Sequence, residues 1–481
     1  MRWGKLELIV FICGAAVMVV ELLGSRILAP YLGSSIYTWA SLIGVVLGAL
    51  ALGYYIGGRV ADRSRTFRVL GLIVLAAAIA TLAIIPLNPI AQLAVTIGPK
   101  FGPLLASIIL FAPASILFGM VSPYAIRLKA EQLSKVGSTA GNLYAISTTG
   151  SIFGTLLAGF VLIPSFGVKA LLLSVGAVTL LTSFLCFGTK NLKVLAPAAL
   201  IFLVGTSPFP MEPSIEGEVI HSAESEYHLI RVVDNHEEGT RSMLIDVFVQ
   251  SSEYFNYTGL VHEYARCSTL LIELDPNPER VLVLGLGGGT LPKYFLSHTN
   301  ATIDVIEIDP EVIRSAEEYF GVEESERLRI IQGDARTTLS KLNETYDIIY
   351  MDVFSSYSIP FHLTTVEFMQ EANSHLKENG LFAMNIISAA EGHGSEFFVS
   401  EYKTCGEVFE YAYAFPTEPE KGEVQNIILI ASNSEIPSEK FESVEGIACT
   451  ANYFPSPDLG GAKLLTDDFA PVDNLIAGLY D

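Results

Sequence analysis

VLVLGLGGGT (281–290), IDVIEID (303–309), RIIQGDA (329–335) and YDIIYMD (346–352) are four apolar runs, the first leading into a glycine turn and the others reaching an acidic residue at or next to their last position. Between them lie polar segments of helical length. Short β-rich runs alternating with helix-like segments predict a parallel sheet covered on both faces. Ligands bind such sheets outside the carboxyl ends of the strands. Glu307, Asp334 and Asp352 are thereby expected at one edge, beside the glycines.

Each residue type has a chemical use there. In GLGGG (Gly285, Gly287, Gly288, Gly289) the missing side chains let the turn and the next helix approach a ligand closely. The dinucleotide pattern GxGxxG fails at Thr290. Glu307 follows Gly285 by 22 positions, near the offset of a ribose-binding carboxylate. Asp334 is placed to accept a bond from an adenine amino group, and Asp352 to steer or deprotonate an amine. A helix cap or surface turn explains any one of these acids, but less readily a series at successive strand ends. The ligand class expected is an adenosine-containing cofactor, with no metal.

The surrounding sequence extends this architecture. Residues 227–250 pattern as a hairpin around the polar turn NHEEGT, a helical stretch follows at 258–274, and DPNPER turns into the glycine-loop strand. Further strands are expected at 303–307, 329–332, 347–351 and 380–387. Helices are expected near 290–297, 310–320, 335–342 and 364–377.

The first 200 residues are a different physical object. They hold 14 Lys and Arg against 4 Asp and Glu, whereas residues 201–481 hold 15 against 47. Apolar stretches at 6–25, 27–58, 69–99, 101–126, 136–168 and 170–189 each accommodate the roughly 20 residues needed to span a bilayer. A seventh, 194–211, is short and contains Pro197, Pro208 and Pro210. The fold expected is a multi-pass helical membrane domain (1–208, six or seven helices), a β-hairpin and linking-helix region (209–278) and a doubly wound Rossmann-like domain (279–481).

Loops 59–68, 127–135 and 190–193 carry nine Lys or Arg and the alternate loops three. The positive-inside rule makes the first set cytoplasmic. The acidic domain then lies outside if 194–211 spans and inside if it does not; cofactor supply favours the cytoplasm. Sequons at Asn256, Asn300 and Asn343 fit an outside location. Glu21 and Arg26 are the charges nearest the bilayer interior, either functional or snorkelling. The pairs Gly44/Gly48 and Gly150/Gly154 are read as packing contacts. Five cysteines show no metal-ligand spacing and leave the redox compartment open.

Residues 225–390 resemble the polyamine aminopropyltransferases (spermidine synthases), especially a membrane-fused branch with the pattern IP.HL.T.EF, here Ile359, Pro360, His362, Leu363, Thr365, Glu367 and Phe368. ELLGSRILAPYLGSS (21–35) and LTDDFAPVD (465–473) resemble that branch as well. The resemblance implies that Gln250, Glu307, Asp334 and Ala335 hold the methylthioadenosine part of S-adenosylmethionine or its decarboxylated form. It makes Asp352 the proton acceptor for the attacking amine. Soluble members carry an aspartate where this chain has Gly288, and a second strand-four aspartate where it has Ser355. Their Tyr-His-Glu aligns without gaps to Glu263, Tyr264 and Ala265, with His262 adjacent.

The adenosine half is thus kept and the amine half stripped. Replacement groups expected on the substrate side are Tyr264, His262, His362, Asp467 and Asp468, with His393 a further histidine candidate. The acidic domain favours a cationic amine over an anionic partner, and nucleic acid is not expected. A lipid bilayer is the other expected partner, and a homo-oligomer stays open. Three function classes follow: an amine-alkylating, aminopropyltransferase-like enzyme releasing methylthioadenosine; a methyltransferase or lyase using S-adenosylmethionine on the same fold; and a non-enzymatic polyamine or nucleoside carrier or sensor.

Overall fold

The computed structural model describes residues 4–98, 100–130, 136–187, 215–257, 259–353, 359–442, 444 and 446–480. The apolar segment 194–211, Ser355, and loop residues Lys135, Lys190 and Lys193 lie outside these. The chain divides into two compact units, Met1–Ser214 and Ile215–Asp481.

The first unit is helical. Its principal helices are α1 (Lys5–Leu32), α2 (Ile36–Arg63), α3 (Phe67–Leu87), α4 (Gly102–Leu110), α5 (Ala112–Lys129), α6 (Val136–Leu162) and α7 (Val168–Phe187). Five helices among the described residues are long and apolar enough to cross a membrane, or six if the pair α4 and α5, bent by 51°, counts as one span. Helix α1 continues past Arg26 to Leu32 and stops at Gly33, whose φ of +72° favours glycine. Ser35 then caps α2 through the Thr38 amide.

Glycines set the closest helix contacts. A Cβ at Gly53 would lie 2.2 Å from the Ile116 carbonyl oxygen, and one at Gly57 would lie 2.6 Å from Met120 Cα, so α2 and α5 meet backbone to backbone. Gly150 and Gly154 seat α6 on Phe11 and Ala15 of α1 in the same way. Gly44 and Gly48 face open space, which departs from the packing expectation for that pair. At one end of the unit Arg127 pairs with Asp62 at 2.9 Å, Lys129 pairs with Glu7, and Arg65 donates to the Arg127 and Ala130 carbonyls.

The second unit combines two sheets. Strands β1 (Glu218–Glu224), β2 (Leu229–Asn235), β3 (Thr240–Ile245) and β4 (Phe248–Tyr254) form an antiparallel meander. The larger sheet contains β5 (Arg280–Leu284), β6 (Thr302–Glu307), β7 (Leu328–Gln332), β8 (Tyr346–Met351), β9 (Leu376–Ser388), β10 (Tyr411–Pro416) and β11 (Gln425–Ser432) in the order β10-β11-β9-β8-β5-β6-β7. Strands β5 to β9 run parallel and β11 runs against β9. The chain reverses its direction of progress between β5 and β8, opening a crevice at their carboxyl ends.

Alternation along the strands builds both cores. Val281, Val283, Ile303, Val305 and Ile348 face one, shared with Ile230, Val232 and Met243 of the meander. Leu282, Leu284, Ile306, Ile349 and Met351 face the other. The helices that bear on the crevice are α8 (Glu263–Ser268), α9 (Thr290–His298), α10 (Pro310–Phe320), α11 (Ala335–Leu339), α12 (Val366–Ser374) and α13 (Glu396–Gly406). The helical stretch expected at 258–274 breaks at Thr269, where α8 ends and a second short helix, Leu270–Leu274, begins. A disulfide joins Cys267 on α8 to Cys449, 182 residues later.

Buried Asp304 is compensated by Arg280, Arg329 and the Tyr346 hydroxyl. Glu401 on α13 is fully buried, and neither carboxyl oxygen has a hydrogen-bond partner among the described residues. Burial pushes its carboxyl well above the usual carboxylate range. The unfolded chain ionises it above about pH 4.3, so native stability falls as pH rises from there toward the raised native value. Glu401→Met is expected to stabilise the protein at pH 8 by about 1–3 kcal/mol and to flatten this pH dependence in thermal unfolding. Equal melting at pH 8 in both proteins would show that the buried acid costs nothing.

Candidate functional site

The crevice is built from the glycine turn outward. Gly285 has φ +94°, and a Cβ there would lie 2.2 Å from the Asp352 carbonyl oxygen, so only glycine lets the β5 and β8 ends pass this closely. The Glu307 carboxylate holds the turn. One of its oxygens accepts from the Leu286 amide and the other from the Asp309 amide, each at 2.9 Å. From the far side Ser251 Oγ accepts from the Gly288 amide at 2.7 Å.

The cleft over this turn is lined by Gln250, Tyr264, Gly285, Gly287, Glu307, Asp334, Ala335, Asp352 and His362 of the residues singled out in the sequence. Gly289, His262, Asp467 and Asp468 are not among the lining residues. Gly289 instead caps α9 with φ +72°, its Cβ direction filled by Val322. His262 bonds Ser252 Oγ at 2.9 Å and stacks on Tyr264 from behind. Asp467 is bound twice by Arg336, at 2.7 Å each, and once by Thr365 at 2.8 Å. His393 lies beside Gly478, also outside the lining.

The acids in the cleft differ in how they are compensated. Burial pushes the Glu307 carboxyl up against the two backbone amides that stabilise its charge. Burial likewise raises Asp309, countered by the Ser225 hydroxyl and the Glu311 amide. Asp334 is also partly buried, but the Thr337 amide and the His362 ring, both at 2.9 Å, hold it below the usual range. It therefore caps α11 and faces the cleft at once. Asp352, pushed up to about 6 by loss of hydration, receives one opposing side-chain bond among the described residues, from Asn385 Nδ2 at 3.1 Å. Asn385 is itself oriented by Asn426 Nδ2, which donates to its carbonyl oxygen at 2.9 Å.

Sequence reasoning passed over His228, Ser251, Asp309 and Asn385. His228 Nδ1 pairs with Asp246 at 3.0 Å, and Asp246 holds the one positive φ of a non-glycine among the described residues. Asn385 carried a legible signal: it is an amide inside the apolar run LFAMNIIS, where a polar side chain needs a partner. The others sit in loops and hairpins that have no periodic signature.

A family comparison matches residues 261–440 to the Spermine/spermidine synthase domain. The chain is 29% identical over 292 residues to a polyamine aminopropyltransferase of Vibrio vulnificus, covering 56% of this chain and 94% of that one. It is 29% identical over 205 residues to a thermospermine synthase of Arabidopsis thaliana, covering 41% of this chain and 59% of the relative. Among solved structures, a probable spermidine synthase of Corynebacterium glutamicum is similar at 24% identity and a TM-score of 0.47, over 53% of this chain and 99% of that one. Residues 261–440 thus carry a Spermine/spermidine synthase domain whose relatives are polyamine aminopropyltransferases, and the amino-terminal helices lie outside the matched region.

Proposed function

We propose that the protein is a membrane-anchored transferase that alkylates an amine with decarboxylated S-adenosylmethionine and releases methylthioadenosine. The observation that carries this reading is Asp352, a carboxyl raised to about 6 at the end of β8, facing the glycine turn. A group with that affinity is ionised at neutral pH and still accepts a proton readily. The amine nitrogen attacks the carbon bound to the sulfonium, the carbon–sulfur pair leaves with sulfur, and the nitrogen's proton passes to Asp352. Tyr264, whose hydroxyl donates to the Gln250 carbonyl at 2.8 Å, walls the same space. Glu307, Asp334 and the Gly285 and Gly287 backbone form the nucleoside end.

One observation favours a second reading, a methyltransferase or lyase on the same fold. A side chain at Gly288 would begin 2.6 Å from Ser251 Oγ and 2.9 Å from Phe320 Cδ1. The space for an acid at this turn is filled. A human eEF1A lysine and N-terminal methyltransferase is 31% identical over 131 residues, 24% of this chain and 18% of that one. Gly288→Asp is expected to cost about 1–3 kcal/mol of stability, as overpacking does, seen as a lowered melting temperature.

Products separate the readings. Incubation with decarboxylated S-adenosylmethionine and putrescine is expected to give methylthioadenosine and a longer polyamine by mass spectrometry. In a parallel incubation with intact S-adenosylmethionine, S-adenosylhomocysteine would mean methyl transfer, and methylthioadenosine with a homoserine-lactone fragment would mean cleavage. Asp352→Asn is expected to keep methylthioadenosine binding and lose turnover by roughly 100-fold or more, the usual range for a positioned base; retained turnover removes Asp352 from this role.

The base must be ionised, so kcat/KM is expected to rise with pH to a plateau above a limb near 6. Asn385→Leu removes a bond favouring the ionised form, which moves the limb to higher pH. An unmoved limb would assign it to another group.

The apolar helices support anchoring in a bilayer, and the disulfide supports the acidic unit lying where thiols are not kept reduced. A cysteine introduced at exposed Glu216 and probed with a membrane-impermeant reagent in intact cells decides the side: reaction would exclude use of a purely cytosolic cofactor pool. Protection would place the unit beside the cytosolic cofactor pool.

A further inference from the structure

The two motifs left unexplained by the cleft chemistry, IPFHLTTVEF and LTDDFAPVD, meet in space. Residues 466–469 form a tight turn, closed by reciprocal backbone bonds between Thr466 and Phe469 of 3.0 and 2.9 Å. Leu465 before it is fully buried, donates to Thr404 Oγ1 and accepts from the Val366 amide at 2.9 Å. The turn thereby presents Asp467 at a fixed place. Its carboxylate takes the Arg336 fork and the Thr365 hydroxyl, and its amide donates to Glu367 Oε2 at 3.0 Å.

Arg336 extends the chain of contacts into the cleft. While paired with Asp467 it also donates to the His362 carbonyl at 3.1 Å, and the His362 ring bonds Asp334 Oδ2. Arg336 stands on α11, the helix that Asp334 caps. A closed circuit results, running Asp334, His362, Arg336, Asp467, Thr365 and back along the chain to His362. A bidentate arginine–carboxylate pair fixes direction as well as distance, so the circuit sets where segment 359–365 stands against α11.

We propose that Asp467 is a positioning residue for the nucleoside end of the site. The carboxyl-terminal turn locks His362 onto one Asp334 oxygen and so fixes the edge that receives the exocyclic amine of a purine nucleoside. This rests on the reading of Asp334 given under Proposed function. It replaces the expectation that Asp467 anchors a cationic acceptor. The carboxylate already carries three donors, and Arg336 neutralises its charge, which leaves little attraction for an ammonium group.

The test uses the full-length protein and two readouts, methylthioadenosine affinity by calorimetry and the rate at which a histidine-acylating reagent modifies His362, followed by peptide mass spectrometry. Asp467→Asn, and Arg336→Lys, which keeps the charge but loses the fork, are each expected to weaken binding about fivefold, the scale of a partly exposed ion pair. Both are expected to speed His362 modification. Asp468→Asn, one residue away, is expected to change neither, and the melting temperatures of all three to stay close to that of the parent. Unchanged affinity with unchanged His362 reactivity in Asp467→Asn overturns the proposal; so does an equal loss in Asp468→Asn, which would reduce the effect to overall charge. If the parent binds no methylthioadenosine, the nucleoside reading fails, and His362 reactivity alone still decides whether the turn locks the segment.

Discussion

One carboxylate holds the crevice open: Glu307 accepts the Leu286 amide with one oxygen and the Asp309 amide with the other. The first bond fixes the glycine turn after β5, and the second fixes the turn into α10. Without them two backbone donors at the mouth of the sheet would be buried without partners, which costs about 1–3 kcal/mol each. The arrangement also dictates glycine at 285, because a turn held this way runs into the Asp352 carbonyl. Strand order, turn sequence and the placing of Asp352 are therefore a single constraint seen from three sides.

The parallel strands were legible because burial on both faces leaves a continuous apolar run, and each such run here stops at a turn or an acid. Strands β10 and β11 were not read, although YAYAFP (411–416) and QNIILIAS (425–432) are as apolar as the others. They end in no acid and pair antiparallel, so nothing local marks them as part of a ligand-binding sheet. The bond between Cys267 and Cys449 spans 182 residues, a separation at which spacing carries no information. The limits of α1 were misplaced for a physical reason too. Arg26 looks like a loop charge, yet one cation on a long flexible stem can be carried along a helix that ends only at Gly33.

The glycine pairs show how far composition reaches. Gly150 and Gly154 share their spacing with Gly44 and Gly48, yet only the first pair is covered, by Phe11 and Ala15. Spacing says which helix faces permit close approach. Which face is used depends on the helix opposite, and that follows from the whole arrangement of α1, α2, α5 and α6. His262 and Asp467 illustrate the same rule in the second unit. Both have chemistry suited to an amine site, but Ser252 and Arg336 engage them first.

Acidity in bulk is consequently a poor guide to reactivity in this protein. Residues 201–481 carry 47 carboxylates, and those near the cleft are mostly engaged: Glu307 by two amides, Asp309 by Ser225 and the Glu311 amide, Asp334 by Thr337 and His362, Asp467 by Arg336 and Thr365. Asp352 differs in having a single neutral donor among the described residues, Asn385. Desolvation outweighs stabilisation at Glu307 and Asp309 as well, but at Asp352 it lifts the carboxyl to about 6. A strand-end acid becomes a base through what its neighbours withhold; the more fully bonded acids hold the cleft in shape around it.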